Sequence, residues 1–202
     1  MFRKLRVNQR IHVVDTFPFP SSARQRFALQ HPELTGDDGA LVEAAVRQWF
    51  RLAVRHPKAL LSIPSVLVDD LWREVIRHSR EYATFCDAAF GRYLPRAPES
   101  AMSANTDRTT RLRRTLVLAR QDERCGARGI PLLFRIDREL STNDGARYVA
   151  DCGGHGECYE VSGTVCLQHL TGLSRRPRAG RRPGGGEQSG PYQWPNQGIG
   201  PS

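Results

Sequence analysis

Five residues near the C-terminal end of the chain have the side chains and the spacing of a metal site. They follow the pattern Cys-x2-His-x2-Cys-x7-Cys-x2-His and comprise Cys152, His155, Cys158, Cys166 and His169. Thiolates and imidazoles are donors that zinc prefers, and short spacings let one loop supply two of them. The spacing matches no standard zinc module. The sequence leaves the cofactor unknown: zinc is the candidate that these residues suggest, and a glycine-rich loop with free cysteines is the more common meaning of such a pattern.

The same cysteines and histidines could also support thiol catalysis, because a neighbouring histidine can activate a cysteine as a thiolate. The available pairs are Cys158 with His155 and Cys166 with His169. A flexible glycine-rich loop is a poor platform for preorganised chemistry, and the sequence supplies no oxyanion site or third orienting group. We therefore assign no catalytic residue.

A second candidate lies on the central helix, where Glu74 and His78 are four residues apart and Asp70 is one turn earlier. Such side chains share one helix face and can bind a metal or move a proton. A solvated face with an i,i+4 contact is the more common meaning of this pattern, and it is the interpretation that we adopt.

Arginine clusters are the third candidate. Arginine contacts phosphate bidentately, and clustered cations gain affinity for nucleic acid by releasing counterions. The residues that could serve this role are Arg111, Arg113, Arg114, Arg175 and Arg176. No known nucleic-acid-binding module is recognisable. The alternative is a solvated helix face followed by a basic tail.

Residues 63–95 are the stretch around which the rest of the chain is expected to pack. Apolar residues recur there at helical spacing in two stripes that meet near Ser79, which predicts two helices or one kinked helix. Ser65 suits the N-cap, and Gly91 suits the position after the last turn. Trp72 is predicted to lie in the core, together with Trp49 from the preceding helix, and Cys86 is predicted to be a buried thiol.

Other elements follow from capping residues, prolines and changes of period. Helices are expected from Ser21 or Ser22 to Gln30, from Thr35 to Arg55 and over 107–123, with a loop over 95–107. The apolar run 132–136 and residues 147–150 are predicted to be strands, joined through a turn at Asn143-Asp144-Gly145. The predicted class is thus mainly α (α+β), a helical domain with a small C-terminal β-hairpin.

The central stretch also resembles a known family. Its residues Val68-Asp69-Asp70-Leu71-Trp72, then His78, Tyr82, Cys86 and Gly91, are similar to the signature of the uncharacterised glycine-rich-domain-containing-protein-like family, in its bacterial branch. The family's tryptophan is usually followed by histidine, whereas Arg73 stands here, so no role of that histidine carries over. The resemblance covers residues 17–169 and implies a small soluble protein without an established reaction.

Charge and composition divide the chain into three parts. Of the formal charge of +9, residues 1–30 carry +5 and residues 171–202 carry +4, so the middle is neutral. We expect a basic, disordered arm over residues 1–16 and a disordered Gly/Pro/Arg tail over residues 171–202. Between them we expect one domain over residues 17–170, with the hairpin near 131–151 and the Gly/Cys/His loop at 152–169. Of the 30 basic residues 28 are arginine, which a GC-rich genome explains without selection.

Three function classes remain open. The first is a non-enzymatic binding or adaptor domain with an unknown protein partner. The second is a zinc-binding domain with a structural metal, and the third is a non-specific nucleic-acid binder. No segment has the ~18 apolar residues of a membrane span, and no signal peptide is apparent, so we expect a cytoplasmic location, reduced thiols and no membrane association. The basic ends would attract polyanions weakly.

Overall fold

The computed structural model describes residues 2–96, 105–142, 145–152, 158 and 163–172. Within these ranges the chain forms eight helices and one small sheet of two strands near the C-terminal end. The elements are α1 Phe2–Thr16, α2 Ser21–Gln30, α3 Gly36–Arg55, α4 Val66–Ile76, α5 Ser79–Phe90, α6 Asn105–Glu123, α7 Leu132–Glu139, β1 Arg147–Val149, β2 Thr164–Cys166 and α8 Leu167–Thr171. The predicted mainly helical class with a small C-terminal sheet is confirmed.

Helix α3 packs against α1, α4, α5, α6 and α7, so it is the element that most of the others share. Its start is fixed by a capping box, in which Asp38 N donates to Thr35 Oγ1 and Thr35 N donates to Asp38 Oδ2. The helix ends before His56-Pro57, as predicted. The buried side of α3 includes Trp49 and Phe50, whose rings meet Trp72 from α4.

The central stretch forms α4 and α5, separated at Arg77 and His78, which confirms the predicted break. Ser65 caps α4 by accepting from Val68 N at 3.1 Å, and Gly91 ends α5 with a φ of 68° in the left-handed region. Trp72 Nε1 donates to Tyr82 Oη at 3.0 Å, and Tyr82 Oη donates to the carbonyl oxygen of Leu94. This chain of hydrogen bonds holds the two helices together inside the core.

The predicted hairpin is wrong in two respects. The run 132–136 belongs to α7, and the two strands pair in parallel, with Val149 opposite Cys166. A short apolar run does not distinguish a strand from a buried helix. Here the helix is favoured by capping side chains that lie far away in the sequence. Leu133 N donates to Gln48 Oε1 on α3, and Leu132 N donates to Glu123 Oε1 on α6.

The predicted disordered arm is also wrong, because residues 2–16 form α1. This helix packs on α3 and α5, and Val14 is fully buried against them. Arg47 on α3 donates to the carbonyl oxygens of Val14 and Phe17, which fixes the end of α1. The weak apolar pattern of this segment hid a helix that tertiary contacts stabilise.

Several predicted features fall outside the described residues. They are the central part of the loop at 97–104, Asn143 and Asp144 of the predicted turn, and the tail from 173 onward. Thr171 and Gly172, which the prediction assigned to the tail, form the end of α8.

Asp137 joins α7 to the beginning of α4. Its carboxylate is 4% exposed and accepts from Ser65 Oγ at 2.5 Å and from Val66 N at 2.9 Å. Burial raises the pKa of Asp137, although these hydrogen bonds oppose the shift. The contact places a buried acid at the N-terminus of α4, where the helix dipole favours negative charge.

Candidate functional site

Four of the five predicted metal ligands, three cysteines and one histidine, meet at one end of the parallel sheet. Cys152 follows β1, Cys166 is the last residue of β2, and His169 lies one turn further on in α8. The carboxyl ends of parallel strands lie at the same edge of a sheet, so Cys152 and Cys166 converge. Cys158 comes from the connection between the strands and completes the group, which we call the Cys3His cluster.

The geometry of the Cys3His cluster suits a four-coordinate ion. The four potential ligand atoms all lie within 4.8 Å of one another. The Nδ1 atom of His169 is 3.3 Å from Cys158 Sγ and 3.9 Å from Cys152 Sγ. Tetrahedral zinc with thiolate and imidazole ligands places its donors roughly 3.5–3.8 Å apart, so small side-chain adjustments would bring all four donors to an ion.

Burial makes the cluster a poor place for free thiols. Cys152, Cys158 and Cys166 are each at most 5% exposed and form a buried cluster separate from the main core. Burial and the neighbouring thiols raise the pKa of Cys158 to about 12, so this thiol stays protonated at neutral pH. A divalent cation reverses this preference, because it stabilises thiolates directly.

The other two cysteines, Cys86 and Cys125, lie outside the Cys3His cluster. All five cysteines of the chain are free thiols, so no disulfide competes for the cluster. Cys86 is 1% exposed in the main core, as predicted. His155 lies outside the described residues. Among the described residues, the Cys3His cluster is the one group of three or more potential ligands at metal-binding distances.

The predicted solvated face on α4 is wrong for Glu74. This carboxylate is 1% exposed and accepts from Arg26 Nε at 2.5 Å and Gln30 Nε2 at 2.9 Å. Arg77 contacts the same carboxylate at 3.2 Å. Glu74 therefore fastens α2 to α4, together with Asp70, which contacts His31 on the same side.

Glu74→Gln is expected to lower the free energy of unfolding near neutral pH and to make that free energy depend less on pH in the acidic range. Burial alone would raise the pKa of Glu74, but hydrogen bonds from Arg26 and Gln30 and the charge of Arg77 outweigh it, so the pKa is lowered. The ionised form thus adds stability above the unfolded pKa, and this stability is lost as the pH falls through the folded value. Urea unfolding should show a loss of about 1–3 kcal/mol for the variant near pH 7 and a smaller difference near pH 3.5.

The matched control is Glu33→Gln, since Glu33 is 53% exposed and its contact is with His31 Nδ1 at 3.4 Å. We expect a change within about 0.5 kcal/mol at either pH. An equal loss of stability in Glu74→Gln at both pH values would show that the ionised carboxylate is not the source of the effect.

His78 forms a Ser–His–Glu arrangement that the sequence pattern did not reveal. Ser22 Oγ is 3.0 Å from His78 Nε2, and Glu81 Oε2 is 3.1 Å from His78 Nδ1. Arg26 Nη2, however, lies 2.9 Å from the same Nε2. A guanidinium only donates, so this nitrogen accepts from Arg26, and the lone pair that a general base needs is engaged. The arrangement suits the joining of helices and not nucleophilic catalysis.

The partners of His78 on α2 leave no signal in the sequence around His78, because they lie on another helix. Ser22 and Arg26 precede His78 by more than 50 residues, and their spacing on α2 carries no motif. The one available signal was the polarity of α2, whose serines and arginines would otherwise be assigned to a solvated face.

The predicted arginine candidates are split. Arg111, Arg113 and Arg114 lie on α6, where the last two are exposed, whereas Arg175 and Arg176 lie outside the described residues. Nucleic-acid binding through these arginines therefore stays a prediction.

Comparison with known proteins identifies a family. In the part of the chain that the structure describes, no helix has both the length and the apolar character needed to cross a membrane. No curated protein and no solved structure matches the chain. A family model described as UCP032817-like matches residues 9–170, which is well over half of the 202 residues. The chain therefore belongs to the uncharacterised UCP032817-like family.

Proposed function

We propose that the protein is a non-enzymatic binding domain whose C-terminal sheet is held together by a structural zinc ion. The observation that carries the proposal is the convergence of Cys152, Cys158, Cys166 and His169, with all ligand atoms within 4.8 Å. Three thiolates and one imidazole are a common ligand set of structural zinc sites.

A structural role is favoured over a catalytic one by the number of donors. Catalytic zinc sites keep one position for water or substrate, whereas structural sites use four protein ligands. The four donors of the Cys3His cluster fill a tetrahedral shell. Burial of all three cysteines also limits the access that a substrate would need.

The location and the partner belong to the same proposal. Reduced thiols are the rule in the cytoplasm, and the free thiols of this chain suit that compartment. An adaptor role with a protein partner fits a domain whose polar clusters on α2 and α4 serve to join helices. The likeness of the α4 and α5 motif to the glycine-rich-domain-containing-protein-like family adds no reaction to this proposal, because Trp72, Tyr82 and Cys86 are core residues.

Elemental analysis of untagged protein tests the proposal. We expect about one zinc ion per chain in the wild type and less than about a fifth of that in Cys158→Ser. Cys125→Ser is the matched control, because Cys125 lies outside the cluster and should leave the metal content unchanged. Substitution of cobalt should add the visible absorption of a tetrahedral thiolate site.

The same protein should be titrated with a thiol reagent before and after chelation. Protection of three thiols that chelation removes would support the zinc site. Absence of metal, with the cluster thiols reacting equally before and after chelation, would contradict it.

A further inference from the structure

A basic groove lies between α6, the turn that follows it and α8. Its volume is about 500 Å³, within the range of small-molecule sites. The polar lining consists of Arg113, Arg120, Gln121 and Arg124, with Thr171 on the α8 side. None of the described side chains that line the groove is acidic. Three guanidinium groups therefore share one concave surface without a carboxylate.

Arg120 is the anchor of this groove. It is only 8% exposed, and its Nε donates to the carbonyl oxygen of Gly129 at 2.9 Å, which holds the side chain in place. Its Nη2 is buried and has no hydrogen-bond partner among the described residues. A largely buried cation without a compensating negative group is costly, because it has lost most of its hydration.

Several other arginines of the fold form ion pairs with carboxylates. Arg26 pairs with the buried Glu74, and Arg135 pairs with Glu123. Arg55 contacts Asp122 on α6. The fold thus supplies carboxylates to the arginines that join its helices, whereas the arginines of the groove receive none from the described residues. This difference indicates a ligand that brings its own negative charge.

We propose that the groove binds a small phosphorylated molecule, whose phosphate monoester group contacts Arg120, Arg113 and Arg124. Planar guanidinium groups donate in pairs to tetrahedral oxyanions, which matches phosphate well. A monoester dianion neutralises more of the three positive charges than a diester monoanion does. The volume beyond the phosphate accommodates an organic portion, for which Gln121 supplies an amide donor and acceptor.

Isothermal titration of the full chain with phenyl phosphate, inorganic phosphate and dimethyl phosphate tests this proposal. We expect phenyl phosphate to bind tightest and the diester to bind at least about 10-fold more weakly, because it carries one charge fewer. Arg120→Met should weaken phenyl phosphate binding about 10- to 100-fold. Since it removes an uncompensated buried charge, we expect it not to lower the melting temperature.

Two further variants separate this site from general attraction of anions. Arg113→Met changes an exposed groove residue and should weaken binding about 5- to 10-fold without affecting folding. Arg114→Met removes the neighbouring exposed charge outside the groove and should leave affinity within about 2-fold. The proposal is overturned if the wild type binds none of the three probes at millimolar concentration, or if Arg114→Met and Arg120→Met weaken binding equally. Tighter binding of an oligonucleotide without terminal phosphate than of phenyl phosphate would also overturn it.

Discussion

Removal of the proposed zinc ion from the Cys3His cluster is expected to open the parallel sheet and α8 while the helical core stays folded. The strands have three residues each, and an isolated two-stranded sheet is marginal in water. The cysteines form their own buried cluster apart from the main core, so the free energy of binding the proposed zinc would support this region selectively. Tyr148 and Leu167 are the main apolar anchors of the sheet region in the core.

Hydrogen exchange after chelation measures this effect. Amides of residues 147–149 and 164–171 should exchange about 100-fold faster or more, whereas those of α3 and α4 should change little. The hydrogen bond from Arg147 N to the carbonyl oxygen of Gly163 is a specific reporter, because it lies at the start of the strand pair. Cys125→Ser should show the wild-type pattern before and after chelation. Unchanged protection of the sheet in protein shown to be metal-free would mean that packing alone maintains it.

Trp72→Ala should be among the most destabilising single changes in the helical core. Trp72 is 2% exposed, and its ring lies 4.7 Å from that of Trp49 between centroids. Removing a buried aromatic side chain costs about 3–5 kcal/mol, because apolar contacts are lost and a cavity remains. For a chain of this length the melting temperature should fall by roughly 10 °C.

A more conservative change isolates the polar part of this contact. Trp72→Phe keeps most of the ring but removes the donor to Tyr82 Oη, so about 1–2 kcal/mol should be lost. Leu29→Ala is the control for a large apolar side chain at the surface, because Leu29 is 81% exposed, and we expect less than about 0.5 kcal/mol. A Trp72→Ala protein with unchanged unfolding free energy would place this residue outside the stabilising core.

Capping residues and helical periodicity predicted correctly those elements whose stabilising residues lie within the element itself. The capping box at Thr35 and the N-cap at Ser65 predicted the starts of α3 and α4, and Gly91 predicted the end of α5. Periodicity placed Trp49 and Trp72 in the core, where the structure has them. These signals involve residues three or four positions apart and need no knowledge of the tertiary fold.

Local rules failed where an element depends on a distant partner. Helix α1 has little apolar pattern and is held by Arg47 on α3. Glu74 looked like a surface acid because its partners Arg26 and Gln30 lie more than 40 residues earlier. For the cluster, the sequence supplied the ligand types of Cys152, Cys158, Cys166 and His169, but only the parallel pairing of β1 and β2 explains why they meet.

The side chains that cap α7 belong to other helices, and their positions in the chain imply an order of assembly. Gln48 and Glu123, which receive the first amides of α7, both precede this helix in the chain and are therefore synthesised before it. Asp137, in contrast, belongs to α7 and completes the N-terminus of the earlier helix α4. During synthesis α7 thus finds its acceptors already made, whereas α4, which Ser65 already caps at Val68 N, gains the Asp137 carboxylate only after α7 has docked. Docking of α7 therefore links three earlier helices, because its first two amides bind α3 and α6 and its Asp137 binds the start of α4.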